Sequence, residues 1–155
     1  MARIELNDGL KTSHTDIDHD HQVLVDLINQ LHDAMESGQD KEICGKTIAN
    51  LLNYAITHFS MEERLMVTHR YSNMAAHKAQ HAKFLKTMLD FKAESDLKWN
   101  VGSSVHDFLG NWLIDHILHF DKELAAEMFK LAPKAPDNLD TKIASHIIRD
   151  KLSHK

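Results

Sequence analysis

Residues 105–128 read VHDFLGNWLIDHILHFDKELAAEM. Val105, Leu109, Trp112 and His116 recur at steps of four and three, the spacing that lines one face of an α-helix. The stripe then resumes one residue late, at Asp121, Leu124 and Met128. In a regular α-helix a five-residue step turns by about 140°, which would carry Asp121 off the face His116 occupies. A wide, π-type turn brings the two back together, so the skip predicts such a distortion between them. It also predicts that a histidine and an aspartate share the apolar stripe of a helix spanning roughly 102–130.

Three further segments carry the same pattern. From about Asp18 to Glu36 the stripe is Ile17, His21, Leu24, Ile28, Leu31 and Met35, ending at Ser37-Gly38. From about Lys41 to Thr68 it is Cys44, Ile48, Leu51, Ala55, His58, Glu62 and Leu65. From about Asn73 to Glu94, after a cap expected at Ser72 or Asn73, it is Met74, His77, His81, Phe84, Met88 and Phe91. Four long helices with short connections predict an all-α fold, an antiparallel up-down-up-down bundle around one core. Residues 1–132 are read as that bundle. Both prolines lie in APKAPDN (132–138), and LDTKIASHIIRDKL (139–152) has the pattern of a short extra helix, so 133–155 is read as a C-terminal extension carrying an accessory helix.

Composition narrows the function. With 155 residues there is room for one domain, and 5 Gly and 2 Pro supply little turn material for an all-β fold. The net charge of −5 provides no basic field for phosphate backbones, so nucleic acid is not expected as a partner. No apolar run approaches the ~20 residues that span a bilayer, and no signal-peptide core is present at the N-terminus, so a cytoplasmic protein without membrane attachment is expected. Cys44 alone forms no intrachain disulfide and is read as a small buried hydrophobe. The anomaly is histidine, 13 residues alongside 23 acidic ones.

Seven ligand-type residues fall on the inward stripes: His21, His58, Glu62, His77, His81, His116 and Asp121. Ionisable groups in a core are costly unless paired or bound to metal. An i to i+4 spacing, as in His58/Glu62 and His77/His81, sets two side chains within reach of one ion. Singly such pairs mean little, since this histidine content gives about one His-x3-His pair by chance. The signal is that every helix contributes and each contribution lies on its stripe. Seven ligands exceed a tetrahedral zinc site and suit a bridged pair of higher-coordinate ions. Two alternatives stay open on geometry alone: His119 competes with His116 if the fourth helix is regular, and Glu63 with Glu62, although it points about 100° away. His14, His19, His32, His69, His106, His119, His146 and His154 are otherwise read as lying at the surface or behind the ligands.

The segments IDHDHQVLVDLIN (17–29), YAITHFSMEERLM (54–66), MAAHKAQHAKFL (74–85) and WLIDHILHFDKEL (112–124) resemble the four helix signatures of the bacterial hemerythrins, in the family's order. The resemblance implies a cofactor of two non-haem Fe ions. His77, His81 and His116 would hold one, His21 and His58 the other, with Glu62 and Asp121 bridging as carboxylates and a solvent-derived oxo or hydroxo as third bridge. The His21/His58 iron would then keep an open position for O2.

Reversible O2 binding, for storage, delivery or scavenging, is therefore the expected function, with O2 as the partner and no enzymatic turnover. The nitrogen-rich ligand set agrees, because the Glu-x-x-His repeat of carboxylate-rich di-iron oxidase bundles is missing from this chain. The resemblance also places Leu24, Phe59, Trp112, Ile117 and Leu118 beside the ligands as walls of a dry O2 pocket. Two other classes use the same centre: a peroxidase or nitric-oxide-consuming enzyme, and an iron-handling or O2-sensing protein. A monomer or weak homo-oligomer is expected. The turn before the third helix reads HRYSNM (69–74), where the family usually has a Gly-Tyr-Pro-like turn.

Overall fold

The computed structural model describes residues 3–38, 41–95 and 102–131. The C-terminal extension, where the sequence predicts an accessory helix, lies outside these residues. Four bundle helices are observed: α1 (Thr15–Glu36), α2 (Lys41–Thr68), α3 (Met74–Ser95) and a fourth made of α4 (Gly102–His116), a π turn (Ile117–Asp121) and α5 (Lys122–Leu131). Helix α1 packs on α2 and α4, α2 on α3, and α3 on α4, the ring of neighbours of an up-down-up-down bundle. No strand occurs among the described residues.

The stripes account for the packing. Leu24, Ile28 and Leu31 of α1 meet Leu51, Ala55 and Phe59 of α2, Phe84 and Met88 of α3 and Leu109 and Leu113 of α4 in one large apolar cluster. A smaller cluster, Ile17, Met66, Tyr71, Leu124 and Met128, closes the other end. Along each helix the ligand-type residues fall between the two clusters, so a polar layer is sealed by hydrocarbon on both sides.

Local chemistry sets the ends. Helix α1 begins earlier than its apolar stripe suggests, because the His14 ring accepts from the Ile17 N–H (3.3 Å) and serves as an N-cap. Asp18 ties the preceding chain down, accepting from the Thr12 N–H (2.8 Å) and Oγ1–H (2.7 Å) and the Ser13 N–H (3.2 Å). At the other end the chain turns left-handed at Gly38 (φ +66°), the conformation glycine takes without a Cβ penalty. Helix α2 stops with the same geometry on a costlier residue, Arg70 at φ +50°. The Tyr71 N–H reaches the Met66 carbonyl (2.9 Å) and the Arg70 N–H that of Val67 (3.2 Å), a Schellman-type closure. Asn73 provides the carbonyl for the first bond of α3, to His77 N–H (3.1 Å), while Ser72 donates through backbone and hydroxyl to Glu127 of α5.

The π turn lies where the skipped residue predicts it. Both His116 and Asp121 are buried and share the inward face.

Candidate metal centre

The bundle brings the seven ligand-type residues together. His21, His58, Glu62, His77, His81, His116 and Asp121 are each at least 97% buried, with Glu62 and Asp121 wholly enclosed. All five imidazoles turn Nε2 inward. His21 Nε2 lies 2.7 Å from Asp121 Oδ2, and His58 Nε2 lies 3.0 Å from Glu62 Oε1. On the other side, His77 Nε2 is 2.9 Å and His116 Nε2 3.0 Å from Asp121 Oδ1, while His81 Nε2 is 3.1 Å from Glu62 Oε2. Two overlapping donor groups result: Glu62, His77, His81, His116 and Asp121 in one, and His21, His58, Glu62 and Asp121 in the other. Within each, one atom from every residue lies within 4.8 Å of the rest, and the two carboxylates belong to both.

The donors fit metal ions better than one another. Both oxygens of Glu62, Oδ1 of Asp121 and Nε2 of His58 lack an aligned hydrogen-bond partner despite these short separations, as expected of atoms that converge on a shared point. His116 Nε2 sits 3.1 Å from His77 Nε2 and 3.2 Å from His81 Nε2. Three ring nitrogens this close cannot all be satisfied by shared protons, whereas a cation among them turns lone-pair repulsion into ligation. The outer sides of two rings point the same way. The His58 Nδ1–H donates to Asp20 Oδ2 (2.9 Å) and the His81 Nδ1–H to Glu63 Oε1 (3.1 Å). In the neutral ring this leaves Nε2 as a lone pair aimed inward, the tautomer that metal ligation needs.

Without metal the layer balances itself by protonation. Burial lowers the pKa of His58, but the Glu62 charge and hydrogen bonds to Asp20 and Glu62 outweigh it and raise it to about 10. His77, likewise opposed by burial, is raised to about 9 by its bonds to Asp121 and Glu62. Burial prevails for His116, whose pKa falls. Glu62 and Asp121 are pushed up by burial yet held below the usual carboxylate range by the imidazoles around them. Proton and metal thus compete for the same sites.

Comparison with known proteins agrees with this geometry. The family described as the hemerythrin HHE cation binding domain matches residues 12–128. The chain belongs to the hemerythrin family. A bacteriohemerythrin of Pseudomonas aeruginosa is 32% identical over 121 residues, 78% of either chain. One from Methylococcus capsulatus is 34% identical over 106 residues, 68% of this chain and 80% of that one. A crystal structure of wild-type hemerythrin superposes with a TM-score of 0.74 at 27% identity, covering 81% of this chain and 97% of the other. Hemerythrin membership and the four-helix bundle anticipated from the sequence are therefore both observed. No helix among the described residues is long and apolar enough to cross a membrane.

Aromatic side chains pack directly on two of the imidazoles. Phe59 stacks on His81 (centroids 3.9 Å, planes 9° apart) and Trp112 on His116 (4.3 Å, 13°). Leu24, Phe59 and Trp112 line a wholly apolar cavity of about 10 Å³, and Ile117 is fully buried. Leu118 is a correction. It is 41% exposed, because the π turn that carries Asp121 inward leaves residue 118 on the outer side, so it does not wall the pocket. His119 is exposed for the same reason and does not compete with His116. Glu63 does not replace Glu62; it stands outside the layer and holds His81. The residues that escaped sequence reasoning are Asp20 and Tyr54, polar groups at the edge of a stripe that look solvent-facing, while Glu63, weighed only as a rival ligand, supports His81 instead. Their only sequence signal is position: Asp20 adjoins His21, and Tyr54 lies one turn before His58.

Proposed function

We propose that the chain binds O2 reversibly at a di-iron centre. His77, His81 and His116 would hold one iron, His21 and His58 the other, and Glu62 and Asp121 would bridge them with a solvent-derived oxo or hydroxo. The observation that carries this reading is the asymmetry of the two donor groups, three imidazoles against two, around the same pair of carboxylates. With both carboxylates shared, the ion held by His77, His81 and His116 would have one more protein donor than the ion held by His21 and His58, and the latter would be the one left with room for O2. Two ferrous ions would supply the electrons that O2 draws on while bound and returns on release.

The protein's own contribution is enclosure and charge balance. Two carboxylates would offset half the charge of two divalent ions and five imidazoles would solvate them as neutral donors, which lets the pair sit in a core. Phe59, Trp112, Leu24 and Ile117 keep water from the layer, which favours O2 leaving as O2 over the loss of a reduced and protonated product. Each side chain in the layer offers an atom to one or both donor groups, so its inward-facing atom is committed to holding an ion. This supports binding over turnover. The reading is tested by loading the metal-free chain anaerobically with Fe²⁺, measuring iron content, and recording visible spectra before and after O2 and after its removal. Two irons per chain and a colour that comes and goes with O2 are expected, and His58→Ala should lose the effect. Irreversible bleaching to a ferric spectrum, or binding of a single ion, would overturn it.

A further inference from the structure

Each donor group has one imidazole backed by a carboxylate, His81 by Glu63 and His58 by Asp20. On the two-imidazole side the His21 Nδ1 has no partner, while His58 Nδ1 is held by a chain of hydrogen bonds that leads out of the bundle. The His58 Nδ1–H donates to Asp20 Oδ2 (2.9 Å), and Tyr54 Oη–H donates to the other oxygen, Asp20 Oδ1 (2.8 Å). Tyr54 and His58 are one turn apart on α2, and Asp20 reaches across from α1. One carboxylate thus accepts a hydrogen bond from each of two groups. The chain ends there, for Tyr54 is only partly buried and Asp20 keeps 19% of its side chain exposed.

A carboxylate behind a metal-bound imidazole makes that imidazole a stronger donor, because it draws Nδ1–H toward itself and leaves more negative charge on the ring. A second donor to the same carboxylate spreads its charge and weakens that pull. Tyr54 is suited to this. Burial and the neighbouring Asp20 push its hydroxyl up to about 12, so it remains protonated and donating wherever the protein works.

We propose that Tyr54 is a positioning residue that acts through Asp20 on His58, moderating how strongly that imidazole donates and so raising the reduction potential of the ion that His58 holds. The inference rests on the di-iron reading above. In that setting Tyr54 favours the ferrous state and restrains autoxidation, and Asp20 by itself does the opposite.

The test is a double-mutant cycle of Tyr54→Phe and Asp20→Asn on the full chain, read by the midpoint potential of the iron-loaded protein. A second readout is the ¹H and ¹⁵N resonances of the His58 Nδ1–H in the Zn²⁺-loaded protein, which involve no redox chemistry. Tyr54→Phe keeps the ring and its packing. It should lower the potential, speed autoxidation and move the His58 Nδ1–H proton downfield as its bond to Asp20 tightens. Asp20→Asn should raise the potential and weaken Zn²⁺ affinity by about 10-fold. The double variant should match Asp20→Asn alone, because Tyr54 has nothing left to act through. A Tyr54→Phe shift of the same size with and without Asp20, or no shift in either background, would overturn the inference. Failure of the wild-type chain to take up two irons would instead overturn the reading on which it rests.

Discussion

Removing the metal should cost this bundle a large share of its stability, and the size of the loss follows from the buried layer. Four buried atoms, His58 Nε2, both Glu62 oxygens and Asp121 Oδ1, have no aligned hydrogen-bond partner in the metal-free chain. Each such atom costs about 1–3 kcal/mol, giving roughly 4–12 kcal/mol for the set. Protonation of His58 and His77 next to the carboxylates offsets part of this, which favours the lower end, about 4 kcal/mol. Against total stabilities of about 5–15 kcal/mol, that leaves a marginal apoprotein. For a chain of this size about 4 kcal/mol corresponds to a melting temperature lower by about 8–16 °C. The assay is thermal unfolding followed by far-UV circular dichroism under anaerobic conditions, with Fe²⁺ present or removed by a chelator. Midpoints agreeing within about 2 °C would refute the argument that the layer is built around ions.

Other expectations follow from particular residues. In the metal-free chain His58 and His77 have pKa values raised to about 10 and about 9. Their charged pairing therefore contributes fully below the unfolded value near 6.5 and is lost as pH climbs through 9 to 10. Apoprotein melting temperatures should accordingly fall between pH 7 and 10, whereas the iron-loaded protein, whose imidazoles carry no such proton, should show a flatter profile over that range. Inserting one alanine after Leu118 should turn Asp121 by about 100° off the inward face, so iron content should fall below two per chain while helicity by circular dichroism is kept; full iron content would show that the π turn does not place this carboxylate. Arg70→Gly should relieve the left-handed strain at the end of α2 and raise stability by about 0.5–1 kcal/mol, seen as a higher urea midpoint, and an unchanged or lower midpoint would count against strain at this turn.

Much of this architecture was legible because burial and chemistry act on the same residues. A histidine such as His81, flanked by His77 and Phe84 at helical spacing, announces both its face and its company. The π turn was legible for the same reason, since a five-residue step from His116 to Asp121 keeps both inside only if the helix widens. Leu118 was misread because it directly follows buried Ile117, and sequence proximity to a ligand does not reveal which way a distorted turn points its side chains. Asp20 and Tyr54, and the supporting role of Glu63, were missed for a related reason. They sit at stripe edges, where a few degrees of helix rotation decide between solvent and a hydrogen bond to a buried ring, and periodicity does not resolve such angles. The start of α1 escaped because a histidine, His14, does the capping that serine or aspartate usually signals.

The most direct test of the account is O2 uptake by the anaerobically reduced, iron-loaded protein, followed by its recovery under vacuum or argon. The account predicts about one O2 taken up for every two irons, because only the ion held by two imidazoles, His21 and His58, would be left with room for it, with most of it returned as O2. Uptake without return, or uptake matching the number of irons singly, would contradict the claim that this asymmetric donor set makes an O2-binding site.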